Sequence, residues 1–529
     1  MSAADHRPPL AQAIRASERP GARDLADRVE RWAGYVPLAI LVYFAVQTVI
    51  RLAISSNLGI DDAEIADRGW FALGYGNSNP PLYDWIALLL MKLTGSWLVA
   101  LVLAKNLLLA ANYLFFFLLG RVLFGNRTGA AVLALAPLMM PQVSWQAQVT
   151  LSHSALATAA VAGLVLGLAL VIERASLLRF AALGLALGVA LLSKYNVAIP
   201  VVALALAAAT VPAARRRLAD WRLLVALAIV AAIVLPHALW ALSNFDDSTS
   251  RLARLGNTRD RWTAIDIPWL GVDGFFSFAT AALVNVGPLL LIWAVGRRLA
   301  RREPDRAVLD DQAVLFGRVV GRALLIGILG LVVGIVALDV HNVHARYVTP
   351  FLMLVPVWLA LRFPLALKPS AAGRYLILSG VIAIGITIGW PQTILFDDDR
   401  LAFPYEALAA EAATAGGGDA AILMRRSDYA LNVARHMANG RVFDSSAAAP
   451  TVVALWETGS AKEEGLIARA GPCYRIDGDV REIVARYHYF SGKETRISLA
   501  LLRRDPGAAP EDAGCALPVS ETNSELRGP

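Results

Sequence analysis

Long apolar runs recur along the first 391 residues of this 529-residue chain, and they limit its possible folds to those of membrane proteins. A helix needs roughly 20 apolar residues to cross a bilayer core. The runs lie near positions 35–52, 97–119, 128–141, 150–172, 179–192, 196–212, 222–243, 275–296, 322–339, 347–361 and 375–391. We therefore predict an α-helical polytopic membrane protein with about eleven transmembrane helices. Since 57% of the residues are hydrophobic and only 17% are charged, a disordered protein and an ordinary cytosolic enzyme are excluded.

The basic residues indicate the topology of these helices. The net charge is +7, but Lys and Arg occur in short clusters between apolar runs, so we do not expect a nucleic-acid partner. With segment 1–33 in the cytoplasm and the loops on alternating sides, 24 basic residues fall in inner segments and nine in outer loops. The positive-inside rule favours this orientation over its inverse. An odd number of helices then places the C-terminal segment on the outer side.

The chain becomes polar and mixed in composition after the last apolar run. We predict a transmembrane domain over 34–395 with an outer loop at 53–96, an outward-facing α/β domain over 396–505, and a flexible tail over 506–529. In the α/β domain the apolar and alternating patterns predict strands and helices. The predicted strands are Ala420–Met424, Val452–Trp456 and Arg496–Leu502, and the predicted helices are Phe403–Ala413 and Ser427–Met437.

Two cysteines, Cys473 and Cys515, both lie in this late region. An exported compartment permits a disulfide, which would close a loop of about 40 residues and stabilise the domain by roughly 3–4 kcal/mol. Two free thiols are the other interpretation. Because the sequence contains no CxxC pair or His/Cys cluster, we predict no zinc site.

Acidic residues are concentrated in the outer loop that follows the first apolar run. Asp61, Asp62, Glu64 and Asp67 occur within seven residues. Ionisable groups close to a bilayer are costly and are usually functional. A carboxylate can act as a general base, and a pair of carboxylates can hold a divalent cation through its oxygens. The structural alternative is an acidic helix N-terminus, where carboxylates complement the helix dipole.

The same loop continues with Pro80-Pro81-Leu82-Tyr83-Asp84-Trp85. Proline is well suited to the first position of a helix, so the pair predicts a helix start. The following segment, Leu82–Leu93, is apolar with aromatic residues, which favours a helix lying at the membrane interface. Such a helix would form the wall of a cavity at the outer membrane face.

These two motifs, in this order, resemble the first outer loop of the membrane-embedded GT-C glycosyltransferases. The sequence is most similar to the bacterial branch of the protein mannosyltransferase and aminoarabinose transferase group, over about residues 30–395. The resemblance implies a polyprenyl-phosphate sugar as donor, an active site on the outer side of the membrane, and inversion at the anomeric carbon. It also implies that Asp61 is the general base and that Asp62 and Glu64 orient it or contact the acceptor. Tyr83 is expected to contact the acceptor or the donor.

Three residues further along resemble the family's ligands for the lipid phosphate. Lys194 lies between two short helices, and Arg346-Tyr347 begins a late helix as Arg-Tyr-x-x-Pro. Cationic side chains suit phosphate oxygens, and the planar guanidinium of arginine does so in particular. For Lys194 the alternative is a lysine that extends to the membrane interface.

Three histidines are candidates for contacts with the acceptor or the donor. His153 lies near the end of a polar segment, Gln142–Ser154, where many relatives have an acidic residue, and a structural polar residue is the other interpretation. His341 and His344 are three residues apart, but the sequence fixes no acidic third ligand, so solvent-side polar contacts are favoured over a metal site. Ser78-Asn79 stands where aminoarabinose transferases have Glu-Lys, which argues against that sugar specificity.

The resemblance therefore implies transfer of a sugar to a cell-envelope acceptor, such as lipid A, lipopolysaccharide, another glycan or a lipid. The expected location is the bacterial inner membrane, in contact with its lipids, with the C-terminal domain in the periplasm. A transporter or flippase is the main alternative, but it would usually show internal repeats and ionisable residues near the midplane, and the sequence shows neither. A non-catalytic membrane subunit or sensor is a third interpretation, which the acidic loop disfavours.

Overall fold

The computed structural model describes residues 20–75, 79–150, 152–249, 272–303, 309–396, 400–443, 449–459, 463–471, 473–490 and 492–505. The chain divides into two compact units. One unit, here called the helical unit, comprises Met1–Val49 and Trp70–Ile388. The other, the sheet unit, comprises Ile50–Gly69 and Gly389–Pro529, so a segment from near the start of the chain belongs to the same unit as its C-terminal part.

The described residues of the helical unit are mainly α-helical. The helices that lie wholly or mostly in this unit are Pro20–Ala33, Val36–Ile54, Leu82–Thr94, Trp97–Phe124, Arg127–Ala134, Pro141–Ser144, Gln146–Val149, Ser152–Glu173, Leu177–Leu191, Ala198–Thr210, Pro212–Leu218, Leu223–Ser243, Phe245–Thr249, Val272–Leu299, Asp311–Ala337, Ala345–Leu352, Leu354–Arg362 and Pro369–Leu395. Short 3₁₀ turns lie at Ala136–Met139, Tyr195–Val197 and Leu365–Leu367.

Seven helices in the described ranges are long and apolar enough to cross a membrane. They are Val36–Ile54, Trp97–Phe124, Ser152–Glu173, Leu223–Ser243, Asp273–Leu299, Asp311–Ala337 and Pro369–Leu395. An eighth is obtained if Tyr195–Thr210 and Pro212–Leu218, which meet at an angle of 108°, form one broken span. Two shorter apolar helices, Arg127–Met139 and Leu177–Leu191, fall below this length. The polytopic helical architecture is thus confirmed, whereas the count of about eleven stays a prediction.

The helix Ser152–Glu173 forms the centre of the helical unit. In its most apolar stretch 89% of the residues are buried, against 11% for Leu223–Ser243, whose apolar side chains are mostly exposed and suited to lipid contact. Small residues allow close helix packing around this centre. A Cβ atom at Gly184 would lie 2.6 Å from the carbonyl oxygen of Ala226, so only glycine permits that approach of the two backbones.

The described residues of the sheet unit include six strands, which form one sheet. The strands are β1 (Ala421–Met424), β2 (Arg441–Val442), β3 (Thr451–Glu457), β4 (Tyr474–Ile476), β5 (Arg481–Arg486) and β6 (Glu494–Arg504). Their order is β2-β1-β3-β6-β4, and β5 also pairs with β6. β1 is parallel to β2 and β3, whereas β6 is antiparallel to β3, β4 and β5. The helices of this unit are Ile60–Asp67, Tyr405–Gly416, Ser427–Arg435 and Glu463–Ala468, with a 3₁₀ turn at Arg400–Ala402.

The three predicted strands are confirmed as β1, β3 and β6, and both predicted helices are present as Tyr405–Gly416 and Ser427–Arg435. Apolar side chains pack on both faces of the sheet. Ile422 and Leu455 point into the larger cluster under the two helices, while Leu423 and Ala454 belong to the cluster on the opposite face. Cys473 is disulfide-bonded in the structure, and Cys515, the only other cysteine of the chain, lies outside the described residues.

Candidate active site

The acidic motif forms a short helix, Ile60–Asp67, in the sheet unit. Gly59 precedes it in an extended conformation, and Asp61 and Asp62 occupy its first turn, where carboxylates complement the helix dipole. Asp62 is buried, with 5% exposure, and its Oδ2 lies 3.4 Å from the position that a Cβ atom would take at Gly59. Asp61 is half-buried. Asp62 therefore folds back over the start of the helix, while the carboxylate of Asp61 is the more accessible of the two.

Hydrogen bonds to the C-terminal part of the sheet unit fix the loop that leads into this acidic helix. The Asn57 side-chain amide donates to the carbonyls of Leu401 and Phe403, at 3.0 Å each. The Asn432 side chain accepts from the backbone N–H of Leu58 at 2.8 Å and donates to its carbonyl at 3.1 Å. Asn57 and Asn432 are buried, so these bonds are shielded from water. The C-terminal part of the sheet unit therefore positions the acidic helix through hydrogen bonds that involve backbone groups.

Two arginines extend this arrangement. Arg51 donates through Nη1 to the Ser55 carbonyl at 2.7 Å and through Nη2 to the Asn57 carbonyl at 2.6 Å. Arg435 donates to the Ser56 carbonyl at 3.4 Å. Burial, together with the nearby Arg51 charge, lowers the pKa of Arg435. Two guanidinium groups thus clamp the turn that precedes the acidic helix.

In the helical unit, the three residues predicted to bind phosphate lie close together. The Nζ atom of Lys194 is 5.9 Å from the centre of the Tyr347 ring, and the guanidinium carbon of Arg346 is 5.4 Å from the same centre. Lys194 and Tyr347 are half-buried, and Arg346 is exposed. Lys194 also donates to Ser154 Oγ at 3.0 Å. Two cationic groups and a phenol hydroxyl are thus available to one anionic group.

The segment that contains Arg346 and Tyr347 is anchored by polar contacts to the neighbouring helices. The Asn196 side-chain amide donates to the Tyr347 carbonyl. The fully buried Asn285 donates to the Ala345 carbonyl at 3.0 Å and accepts from Thr349 Oγ1 at 2.8 Å. Since an unpaired polar group in such a position would be costly, these bonds hold the start of the helix Ala345–Leu352 in place.

His153 lies beside a carboxylate that we did not single out from the sequence. Its Nε2 is 3.9 Å from Oδ2 of Asp84, and its ring centre is 5.1 Å from that of Tyr83. Exposure is 3% for Asp84 and 7% for His153. At the start of the helix Ser152–Glu173 this chain has His153 where many relatives have an acidic residue. The helix Leu82–Thr94 instead places the carboxylate of Asp84 beside that histidine. The signal available in the sequence was the aspartate inside the Pro-Pro-Leu-Tyr-Asp-Trp motif.

A second histidine that sequence analysis missed, His237, connects two segments of the helical unit. Its Nδ1 is 2.6 Å from the Leu73 carbonyl, and its Nε2 is 3.1 Å from the Tyr195 hydroxyl. Because a carbonyl only accepts, Nδ1 carries the proton and Nε2 accepts from the tyrosine. His237 is buried in an apolar helix with a proline one residue before it, which hid its role in the sequence.

The two late histidines have local partners. His341 Nε2 lies 3.4 Å from Oδ2 of Asp339, a residue with a positive φ of 48°. The His344 ring packs edge-on against Tyr347 with the ring centres 5.3 Å apart. Among the described residues, no group of three or more His, Cys, Asp or Glu side chains is placed to hold a metal ion. His344 thus contacts Tyr347, one of the residues predicted to bind phosphate, and His341 contacts Asp339 in the preceding segment.

Residues 78–240 match the dolichyl-phosphate-mannose-protein mannosyltransferase family. The lipopolysaccharide core galacturonosyltransferase RgtB of Rhizobium johnstonii is 30% identical over 355 residues, which cover 66% of this chain and 69% of the relative. RgtA of the same organism, with the same description, is 31% identical over 351 residues, covering 66% and 68%.

Solved structures share the fold at lower identity. ArnT from Cupriavidus metallidurans bound to undecaprenyl phosphate aligns with a TM-score of 0.55 at 15% identity, covering 88% of this chain and 98% of that chain. The mycobacterial arabinofuranosyltransferase AftD aligns with a TM-score of 0.51 at 15% identity, covering 91% of this chain and 40% of that chain.

The helical fold and these relatives define the class of protein as a multi-pass membrane glycosyltransferase. Within that class, the chain belongs to the GT-C glycosyltransferases of the protein mannosyltransferase and aminoarabinose transferase type. The resemblance inferred from the sequence is therefore confirmed, and a transporter or flippase is disfavoured.

Proposed function

We propose that this protein transfers a sugar from a polyprenyl-phosphate-linked donor to the core of lipopolysaccharide, at the periplasmic face of the bacterial inner membrane. A uronic acid, and galacturonic acid first, is the sugar that we favour. This choice rests on the two curated relatives, both of which are described as lipopolysaccharide core galacturonosyltransferases. The polyprenyl-phosphate donor agrees with the undecaprenyl phosphate bound to the structural neighbour ArnT.

The observation that carries the proposal is the grouping of Lys194 and Arg346 around the Tyr347 ring, at 5.9 and 5.4 Å from its centre. A departing lipid phosphate develops negative charge in the transition state. Preorganised donors at that point lower the barrier most, and the contacts of Asn196 and Asn285 keep this group preorganised. The partial burial of Lys194 and Tyr347 strengthens their interaction with a charge.

The reaction is a single displacement. A hydroxyl oxygen of the acceptor attacks the anomeric carbon, and the bond between that carbon and the phosphate oxygen breaks. The electron pair leaves with the lipid phosphate, where Lys194, Arg346 and Tyr347 stabilise it. Asp61 takes the hydroxyl proton, and Asp62 and Glu64 orient the base or the acceptor. Attack opposite the leaving group inverts the anomeric carbon. The acceptor or the donor sugar is contacted by four further side chains, those of Tyr83, His153, His341 and His344.

A direct assay tests this proposal. The purified full-length protein is incubated with polyprenyl-phosphate galacturonic acid and a lipopolysaccharide core acceptor, and the products are analysed by mass spectrometry. We expect the acceptor to gain one uronosyl residue while polyprenyl phosphate is released. Nuclear magnetic resonance of the product then gives its anomeric configuration, which should be opposite to that of the donor.

Two further donors define what the result means. Transfer from the matched polyprenyl-phosphate aminoarabinose or mannose, with none from galacturonic acid, would reject the sugar but keep the reaction class. Absence of transfer from every polyprenyl-phosphate sugar, with transfer from a nucleotide sugar instead, would overturn the proposed donor. Labelling of a cysteine introduced at the exposed Asp67 by a membrane-impermeant reagent only from the cytoplasmic side would overturn the periplasmic site.

A further inference from the structure

The sheet unit contains a cavity of about 410 Å³ that is lined only by its own residues. Its size falls in the range of cavities that bind small ligands. None of the residues proposed above for catalysis or phosphate binding lines it. It therefore requires an explanation of its own.

The cavity lies where the parallel strands of the sheet end. Arg425 and Arg426 follow β1 directly, and Trp456 and Glu457 are the last two residues of β3. The helix Ser427–Arg435 begins immediately after β1, so the positive end of its dipole is at the same edge. The carboxyl edge of parallel strands is where open α/β sheets bind their ligands.

Two buried donors in the cavity lining have no hydrogen-bond partner among the residues that the structure describes. Trp456 is 5% exposed, and neither its Nε1 nor the Nε of Arg425 has a partner within the part of the chain that the structure describes. Buried N–H groups are almost always paired, because leaving one unpaired is unfavourable. A ligand with acceptor oxygens would satisfy both groups.

The charges around the cavity favour an anionic ligand. Arg426 is neutralised by Asp428 through two hydrogen bonds, of 2.9 and 3.0 Å. Arg425 makes no ion pair among the described residues, and Arg469 contacts its carbonyl oxygen at 3.4 Å. The remaining carboxylate in the lining, Glu457, is exposed to solvent. The guanidinium group of Arg469 thus adds positive charge close to Arg425.

Aromatic rings form the rest of the lining. Phe403 and Tyr429 are stacked with their ring centres 5.0 Å apart and their planes at 8°, and Tyr487 packs edge-on against Phe403. Together with Trp456 they provide rigid apolar faces next to polar donors. Flat apolar faces beside hydrogen-bond donors suit a sugar ring, whose C–H groups and hydroxyls point in different directions.

We propose that this cavity is a binding site for an anionic saccharide, with a carboxylate or phosphate bound by Arg425 and Trp456 Nε1 and a sugar ring packed on the aromatic side chains. The site lies beyond the transfer reaction proposed above and does not depend on it. It gives the sheet unit a glycan-binding role of its own, in addition to positioning the acidic helix.

Titration of the full-length protein in lipid nanodiscs tests the site with three probes on one sugar scaffold: glucuronate, glucose 6-phosphate and glucose. Ligand-observed nuclear magnetic resonance gives the apparent Kd. We expect at least one anionic sugar to bind about fivefold or more tightly than glucose. Preference for glucuronate identifies a carboxylate ligand, and preference for glucose 6-phosphate identifies a phosphate ligand. Equal binding of all three probes, or binding of none, would overturn the proposal.

Substitutions locate the binding in the cavity. Arg425→Met should weaken anionic-sugar binding about tenfold or more, whereas Arg481→Met, on the exposed part of β5, should leave it unchanged. Glu457→Gln removes a like charge from the lining and should tighten anionic-sugar binding without changing that of glucose. A tighter complex cannot result from misfolding, so this variant decides the matter even if Arg425→Met fails to fold. An unchanged or weaker affinity in Glu457→Gln would count against the site.

Discussion

The two units of this protein hold their functional side chains in different ways. In the sheet unit the acidic helix is fixed through its backbone, because Asn57 and Asn432 bond directly to main-chain groups in a buried environment. In the helical unit the cationic groups stand at the ends of long side chains, around an aromatic ring. Lys194 donates to the Ser154 hydroxyl and lies near the Tyr347 ring, and Arg346 is exposed beside the same ring.

This difference corresponds to the chemistry proposed for each group. A general base acts over hydrogen-bond distances, so a small displacement of its carboxylate is costly. Cations that bind a phosphate act over longer distances, and long side chains can follow a lipid that enters and leaves. The base should therefore be sensitive to changes in its support, and the cations mainly to loss of charge. The following substitutions test that contrast.

Removal of the base should have the largest effect. Asp61→Asn keeps the shape of the side chain but cannot accept the proton, so we expect the rate of sugar transfer to fall about 10²–10⁴-fold. Steady-state kinetics with the purified protein measure this, and the donor KM should change little. Asp62→Asn is the matched control. Because Asp62 is buried and folds back over Gly59, the Asp62→Asn variant should lower thermal stability more than Asp61→Asn does. It should reduce the rate of sugar transfer less than Asp61→Asn does. An active Asp61→Asn variant would reject the assignment of the base.

Loss of charge in the helical unit should be the next largest effect. Lys194→Met and Arg346→Met each remove one donor to the departing phosphate, and we expect about a 10²–10³-fold loss of transfer. The conservative variants Lys194→Arg and Arg346→Lys keep the charge and should recover a large part of the rate. A rate that falls as far in the conservative variants as in the methionine variants would show that position, and not charge, matters here. The two units would then not differ in the way described.

The support of the acidic helix can be removed without touching a carboxylate. Asn432→Leu leaves the backbone N–H and C=O of Leu58 without their partner, at a cost of about 1–3 kcal/mol for each buried group. We expect a lower thermal midpoint and about a tenfold lower rate of transfer. Asn439→Leu, at an exposed position in the same unit, is the control and should change neither. A destabilised Asn432→Leu variant with full activity would show that Asn432 supports stability but does not position the base.

Local patterns predicted a large part of this fold. The apolar runs indicated the membrane-spanning helices, and β1, β3 and β6 were visible because their burial gives continuous or alternating apolar residues. Strands β2, β4 and β5 were missed. They are short or largely exposed, so their residues alternate too weakly to be distinguished from a loop.

The arrangement around the candidate site was less accessible, because it depends on contacts between distant parts of the sequence. The bonds of Asn57 and Asn432 join residues 346 and 374 positions apart, and no local pattern encodes them. Family resemblance brought Lys194, Arg346 and Tyr347 to attention, but their proximity comes from the packing of separate helices. Their roles stay predictions. Asp84 and His237 escaped notice because a single polar residue in an apolar helix has no periodic signal.

The smallest expected effect is a dependence of the sheet unit on pH through His436. Burial, reinforced by the neighbouring Arg435 and His488 charges and opposed by Glu406, lowers the pKa of His436 below its ordinary value of 6.5. Its Nε2 is buried without a partner in the described part of the chain. Below pH 6.5 the unfolded state therefore binds more protons than the folded state, and the stability of this unit falls until the pH reaches the lowered pKa of the folded state.

Limited proteolysis of the full-length protein measures this effect across about pH 7.5 to 5. Cleavage within the sheet unit should accelerate as the pH falls, whereas cleavage within the helical unit should not. His436→Asn cannot gain a charge, so its cleavage rate should depend less on pH than that of the natural protein. If both proteins show the same pH profile, another group controls the stability of the sheet unit. If the pH profile flattens as expected, low pH first destabilises the sheet unit, which holds the acidic helix. The rate of sugar transfer should then fall because the base loses its support, before the cations of the helical unit are affected.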